Sequence, residues 1–212
     1  SMSSPEPRPL HRPPSRVRVV TAASLFDGHD AAINIIRRIL QSQGAEVIHL
    51  GHNRSVDEIV DAAIQEDAHA IAVSSYQGGH NEFFRYMHDM LAERGAKHVR
   101  LFGGGGGVIL PEEIRALQEH GVERIYSPDD GRELGLQGMI DDMLSRCDFP
   151  TCGPGEALPE LDAADTRGIS RAVSLIESFP DEHRAALRGR AAEATATAPV
   201  LGITGTGGAG KS

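Results

Sequence analysis

The chain has 212 residues (22.7 kDa), 40% hydrophobic and 24% charged, the proportions of an ordinary globular protein rather than a disordered one. Lys and Arg total 21 against 30 Asp and Glu, a formal charge of −9, which argues against a general nucleic-acid binder because phosphate neutralisation needs a basic surface. No apolar run approaches the roughly 18 residues that span a bilayer, so no membrane association is expected. Two cysteines, Cys147 and Cys152, cannot build a disulfide framework, and the chain reads as cytoplasmic.

Ser1, ahead of Met2, reads as a tag-cleavage remnant, and residues 1–15, with Pro5, Pro7, Pro9, Pro13 and Pro14, read as an extended, poorly ordered arm. From residue 16 to 147 a strand pattern alternates with a helix pattern five times. Strands are predicted at 17–22, 46–50, 70–74, 99–102 and 123–126, short, mostly rich in Val or Ile, and followed by Gly, Ser, Asn or Pro. Helices are predicted at about 30–43, 55–66, 80–94, 111–120 and 131–146. In the first, Ile33, Ile36, Ile39 and Leu40 fall on one face at helical spacing. Ser55 suits an N-cap with Glu58 at the capping-box position, Pro111 suits a first turn, and Gly44, Gly95 and Gly121 suit the positions just past helix ends. This alternation predicts an α/β fold: a flavodoxin-like, doubly wound, five-stranded parallel sheet with helices on both faces. Residues 148–165, with Pro150, Gly153, Pro154, Gly155 and Pro159, read as a linker. Residues 166–198 return to a helical pattern, broken near Phe179 and Pro180, with Asp181 as a cap for its second helix. A sixth short strand is predicted at 199–204, running into Gly205.

In an open parallel sheet, ligands bind outside the carboxyl ends of the strands. Here each of the first five strands empties into a specialised loop: Ser24 to Asp30, Gly51 to Arg54, Ser74 to His80, the unbroken glycines Gly103, Gly104, Gly105, Gly106 and Gly107, and Ser127 to Gly131. Glycines along one edge let a large, flat or elongated ligand approach the backbone closely. The alternative is a flexible loop. His29 has the one soft donor of the first loop, and Asp27 can bond its other ring nitrogen, fixing the tautomer. Asp27 as a phospho-acceptor, or the loop as a flavin-phosphate site, are competing readings that leave His29 and the glycine run unexplained. No His, Cys and carboxylate cluster has zinc-like spacing, so a site with a single protein ligand needs a metal already held by a macrocycle. His49, His52, His69, His88, His98 and His120 share no spacing and read as surface or structural residues, and the two cysteines as inert.

The segment Asp27-Gly28-His29-Asp30-Ala31-Ala32 resembles the D-x-H-x-x-G motif of cobalamin-binding domains. Ser74-Ser75-Tyr76 falls where that family has S-x-L, and Gly106-Gly107-Val108-Ile109 matches its second glycine motif. Ala32 stands where the motif ends in glycine, and Tyr76 replaces the leucine. From about Arg16 to Cys147 the chain resembles the cobalamin domain of acyl-CoA mutases. The resemblance implies base-off, histidine-on binding of adenosylcobalamin, with His29 as the lower axial ligand of cobalt and Asp27 as its hydrogen-bond partner. It further implies Gly28 and Asp30 under the corrin edge. Ser74, Tyr76 and the glycines at 103–107 would line the channel for the nucleotide tail, with Ser127 to Gly131 closing its far end. His80 either reaches the tail or is a solvated helix-start histidine.

Gly205-Thr206-Gly207-Gly208-Ala209-Gly210-Lys211-Ser212 fits the Walker A pattern after a predicted strand: backbone amides cradle phosphates, Lys211 contacts them and Ser212 holds Mg²⁺. Residues 199–212 thus read as the truncated start of a P-loop GTPase domain. A cobalamin domain followed by a P-loop resembles the fused isobutyryl-CoA mutase family. That resemblance implies a parent, homodimeric radical acyl-CoA mutase carrying a GTPase chaperone, which binds GTP and Mg²⁺, and a C-terminal acyl-CoA barrel. This chain alone would then be non-catalytic. The alternatives are a methylmalonyl-CoA-type or other acyl-CoA mutase domain, a corrinoid carrier or sensor module, or a flavodoxin-like domain for another phosphate-bearing ligand.

Overall fold

A computed structural model describes residues 16–23, 30–74, 79–104 and 109–193, without the side chains of residues 30–33 and 80. The elements follow in strict alternation: β1 (Arg18–Ala23), α1 (Asp30–Ser42), β2 (Glu46–Gly51), α2 (Val56–Gln65), β3 (Ala70–Ser74), α3 (His80–Glu93), β4 (Arg100–Gly104), α4 (Pro111–His120), β5 (Arg124–Tyr126) and α5 (Pro128–Arg146). All strand pairs are parallel and the order is β2-β1-β3-β4-β5, the flavodoxin-like order the alternation predicts. The predicted strand bounds are met to within one or two residues.

Local chemistry sets these bounds. Ser55 caps α2: its hydroxyl accepts from the Glu58 N–H at 3.2 Å, and the Glu58 carboxylate accepts from the Ser55 N–H at 2.8 Å. Pro111 occupies the first turn of α4, where its missing N–H costs nothing. Gly44, Gly95 and Gly121 follow their helices with positive φ. Two helices differ from expectation. α5 starts at Pro128 rather than 131, because Ser127 and Asp130 form a reciprocal cap, and it breaks at Gly135 (φ 66°, ψ 172°). Asp181 is not a cap either. The last helix, α7 (Pro180–Glu193), begins one residue earlier, so Asp181 lies in its first turn, favourable there as a charge at the positive end.

The sheet separates two apolar layers. On one face Ile59, Val60, Phe84, Met87, Leu91 and Leu117 from α2, α3 and α4 pack on Val20, Ile71, Leu101 and Ile125. On the other, Leu40 from α1 and Ile140, Met143 and Leu144 from α5 pack on Val19, Ala70, Ala72 and Phe102. Cys147 is buried in this second layer, and burial pushes its thiol up to about 12, so the inert reading fits. No described helix is long and apolar enough to cross a membrane.

Residues 148–165, predicted as a linker from composition, carry specific contacts in the structure. The Thr151 hydroxyl bonds Asp67 (2.6 Å), Arg171 of α6 (Thr166–Ser178) bonds the Thr151 carbonyl and Glu156 (both 2.5 Å), and Cys152 is buried. Phe149 packs its ring against His69 (centroids 5.5 Å) and under the Arg100 guanidinium. His69 is buried, and its Nδ1 accepts from the Arg18 N–H at 3.0 Å, a bond that needs the neutral ring. Burial, then the Arg18 charge, holds its imidazole down to about 4. Between about pH 6.5 and 4 the unfolded chain binds a proton here that the folded chain refuses, so stability falls as pH falls through that window, by at most roughly 3 kcal/mol. Urea midpoints measured from pH 7 to 4.5 should therefore decline more steeply for the wild type than for His69→Asn, and parallel curves would contradict this.

Candidate functional site

The carboxyl ends of the strands form one continuous edge. In register, Ala23 of β1 pairs with Ser74 of β3, Ser74 with Gly104 of β4, and Gly104 with Tyr126 of β5. Side chains alternate along a strand, so this row shares the face of Ala72 and Phe102, the face covered by α1 and α5. Three of its four members carry at most two side-chain heavy atoms. A low lane therefore runs along the strand ends, across the point between β1 and β3 where the strand order reverses.

The two described glycines of the run have different physical reasons. At Gly103 a β-carbon would overlap the Phe84 ring at Cζ and lie 2.6 Å from Ile125 Cδ1, so α3 and β5 fill that space. At Gly104 a β-carbon would meet only Tyr126, at 3.6–3.7 Å, in ordinary contact, and it points toward the lane. Ser74 is buried at the lane's centre.

Tyr126 walls the β5 end. Its ring stacks on Phe102 (centroids 6.4 Å), and its hydroxyl donates to Asp142 at 2.7 Å. Burial, reinforced by that carboxylate, pushes the phenol far above its ordinary range, so it remains a donor. Burial opposes ionisation of Asp142, but hydrogen bonds from Tyr126 and Arg146 outweigh it and hold the carboxyl below its usual value. Arg124 ties Asp142 to Asp130 (both 3.1 Å) and so links the wall to the α5 N-terminus. There the Ser127 hydroxyl is spent on capping, while Gly131 faces open space.

Asp30 opens α1. Asp27, Gly28, His29, Tyr76, Gly105, Gly106, Gly107 and all of 205–212, with the predicted strand at 199–204, lie outside the described residues. The segments carrying the first seven leave from the ends of β1, β3 and β4, three adjacent strands. One residue at this edge escaped the sequence reading. Asn81, in the first turn of α3, donates through Nδ2 to Glu113 (3.3 Å), while its Oδ1 is buried with no hydrogen-bond partner among the described residues. A lone Asn in a helix start carries no sequence signal that could have singled it out. The histidine reading also needs amending. His88 and His120, 32 residues apart, converge on Asp89, because α3 and α4 pack side by side.

A flavodoxin-like sheet with a lane of small residues at its switch point defines a domain that binds an elongated ligand across its strand ends. Residues 17–131 match the family model described as B12 binding domain, and the chain belongs to that family; it is a cobalamin-binding domain. It is 60% identical over 216 residues to a fused isobutyryl-CoA mutase of Geobacillus kaustophilus, a match covering 96% of this chain and 19% of that protein. It is 34% identical over 129 residues to the 2-hydroxyisobutanoyl-CoA mutase small subunit of Aquincola tertiaricarbonis, covering 61% of this chain and 90% of that subunit. Among solved structures, a cobalamin-binding protein from Desulfitobacterium hafniense shares the fold, with a TM-score of 0.51, 20% identity, and coverage of 62% of this chain and 59% of that one. The chain spans about a fifth of the length of the fused mutases it matches. The described part of the edge suits such a cofactor: the small residues Ala23, Ser74 and Gly104 leave room for a flat or threaded group.

Proposed function

We propose that the chain holds adenosylcobalamin in the base-off form, with the His29 imidazole as the lower axial ligand of cobalt and Asp27 as the partner of its other ring nitrogen. When bound, this cofactor supplies a carbon radical by homolysis of its cobalt–carbon bond. The chain's own residues bind and orient. Gly28 and Asp30 would lie under the corrin edge, and Ser74, Tyr76 and the glycines at 104–107 would line the path of the nucleotide tail, whereas Gly103 faces Phe84 instead. Ser127 and Gly131 close its far end. The observation that carries this reading is the register row Ala23, Ser74, Gly104, whose small side chains keep the strand ends open beside the segment that bears Asp27 and His29.

At the level of the whole protein, the similarity to fused isobutyryl-CoA mutases supports an acyl-CoA mutase, which would act as a cytoplasmic homodimer and isomerise isobutyryl-CoA and n-butyryl-CoA. Gly205, Gly207, Gly208, Ala209, Gly210 and Lys211 would cradle the GTP phosphates once the rest of the GTPase chaperone domain follows, with Ser212 on Mg²⁺. The substrate barrel would contribute the groups that touch acyl-CoA.

A visible-absorption titration with adenosylcobalamin tests the cofactor reading. The wild type is expected to shift the spectrum from that of the benzimidazole-ligated cofactor to that of a histidine-ligated one, and His29→Ala to lose that change. An unperturbed spectrum at high protein concentration would overturn it.

A further inference from the structure

His88, Asp89 and His120 each offer one ligand atom, and these atoms all lie within 4.8 Å of one another. We propose that this trio is a second metal site, separate from cobalamin, which takes a divalent first-row cation of the zinc type. The donor set is two imidazoles and a carboxylate, the nitrogen and oxygen ligands such ions favour. His88 Nδ1 is 3.2 Å and His120 Nε2 2.8 Å from the same carboxylate oxygen, Asp89 Oδ1. Tetrahedral zinc with bonds of about 2.0–2.1 Å sets its ligands about 3.3 Å apart; both Asp89 distances are near that, and the two imidazole nitrogens, within 4.8 Å of each other, would close on the ion.

The two rings are held by the fold rather than by a loop. His88 is on α3, and its ring abuts Gly121, where a β-carbon would overlap Nε2 and lie 2.9 Å from Cε1. That contact turns the other ring nitrogen toward Asp89. His120 is the last residue of α4, where the negative end of the helix dipole favours a cation. The site lies beside the start of β5, at the edge of the sheet opposite the strand ends. The side chains of His88, His120 and Asp89 are 21%, 29% and 55% exposed, which leaves a coordination position for water or for a donor from another molecule.

The test is calorimetric titration of the chelator-stripped whole chain with zinc sulfate at pH 7.5, for the wild type, His120→Ala and Asp89→Asn. The wild type is expected to bind one equivalent that both variants hold at least tenfold more weakly, and zinc to raise the thermal midpoint of the wild type but of neither variant. Circular dichroism without zinc checks that each variant is folded. Should His120→Ala fail that check, Asp89→Asn, altered at the most exposed member, decides alone. No binding up to millimolar zinc would overturn the proposal, leaving the trio a hydrogen-bonded clasp between α3 and α4. So would binding that the variants leave unchanged, because the ion would then sit elsewhere.

Discussion

Replacing Arg18 by alanine is expected to lower the unfolding free energy by about 3–5 kcal/mol, the usual effect of removing one partner of a buried ion pair. The side chains of Arg18 and Asp67 are 7% and 9% exposed, and their charged atoms lie 3.6 Å apart. The Arg18 Nε also donates to the Asp67 carbonyl at 3.1 Å, and its terminal nitrogen donates to Ser174 Oγ of α6 at 2.6 Å. One guanidinium at the start of β1 thus joins the sheet to the turn after α2 and to a helix 156 residues later. Its loss leaves the Asp67 carboxylate buried with Thr151 and Arg171 alone, and the α6 contact broken. Ser174→Ala removes only one hydrogen bond and should cost about 1 kcal/mol. Urea unfolding followed by circular dichroism checks both. A loss below about 1 kcal/mol for Arg18→Ala would mean that α6 and the segment before it add little to the fold.

Gly103→Ala and Gly104→Val are expected to separate folding from cofactor binding, although the two glycines are neighbours. At Gly103 the new β-carbon collides with Phe84 and Ile125 in the layer under α3, and overpacking of that kind costs about 1–3 kcal/mol. At Gly104 the β-carbon meets only Tyr126 at ordinary distance, so stability should change by less than about 1 kcal/mol. Its methyl groups would instead enter the lane beside Ser74, and adenosylcobalamin affinity should fall at least tenfold, about 1.4 kcal/mol. Thermal unfolding and absorption titration of the same two proteins read the two effects. Equal cofactor affinity for Gly104→Val and the wild type would remove the lane from the binding path.

The sheet was legible because its signal is local. Short Val- and Ile-rich runs ended by Gly, Ser or Pro mark β1 to β5, and caps such as Ser55 with Glu58 mark helix starts. The start of α5 was legible too, in Ser127-Pro128-Asp129-Asp130, but reading Ser127 to Gly131 as a loop moved the prediction three residues late. The glycine run was seen as a ligand edge, yet sequence could not divide it. Only the β3–β4–β5 register shows that Gly103 faces Phe84 while Gly104 faces the lane. What periodicity cannot carry is contact between distant segments. Arg18 with Ser174, Asp67 with Thr151, and His88 with His120 depend on how helices pack, so a Pro- and Gly-rich stretch read as a linker and a histidine pair read as scattered.

The central claim is that a histidine of this chain replaces the cofactor's own base on cobalt. Electron paramagnetic resonance of the chain loaded with cob(II)alamin tests it directly, comparing protein made with ordinary histidine and with histidine labelled with nitrogen-15. If His29 is the axial ligand, the nitrogen splitting of the cobalt signal changes from a triplet to a doublet on labelling, and His29→Ala shows neither pattern from histidine. If the triplet survives labelling in the wild type, the benzimidazole nitrogen is still on cobalt, and the histidine-on account is wrong.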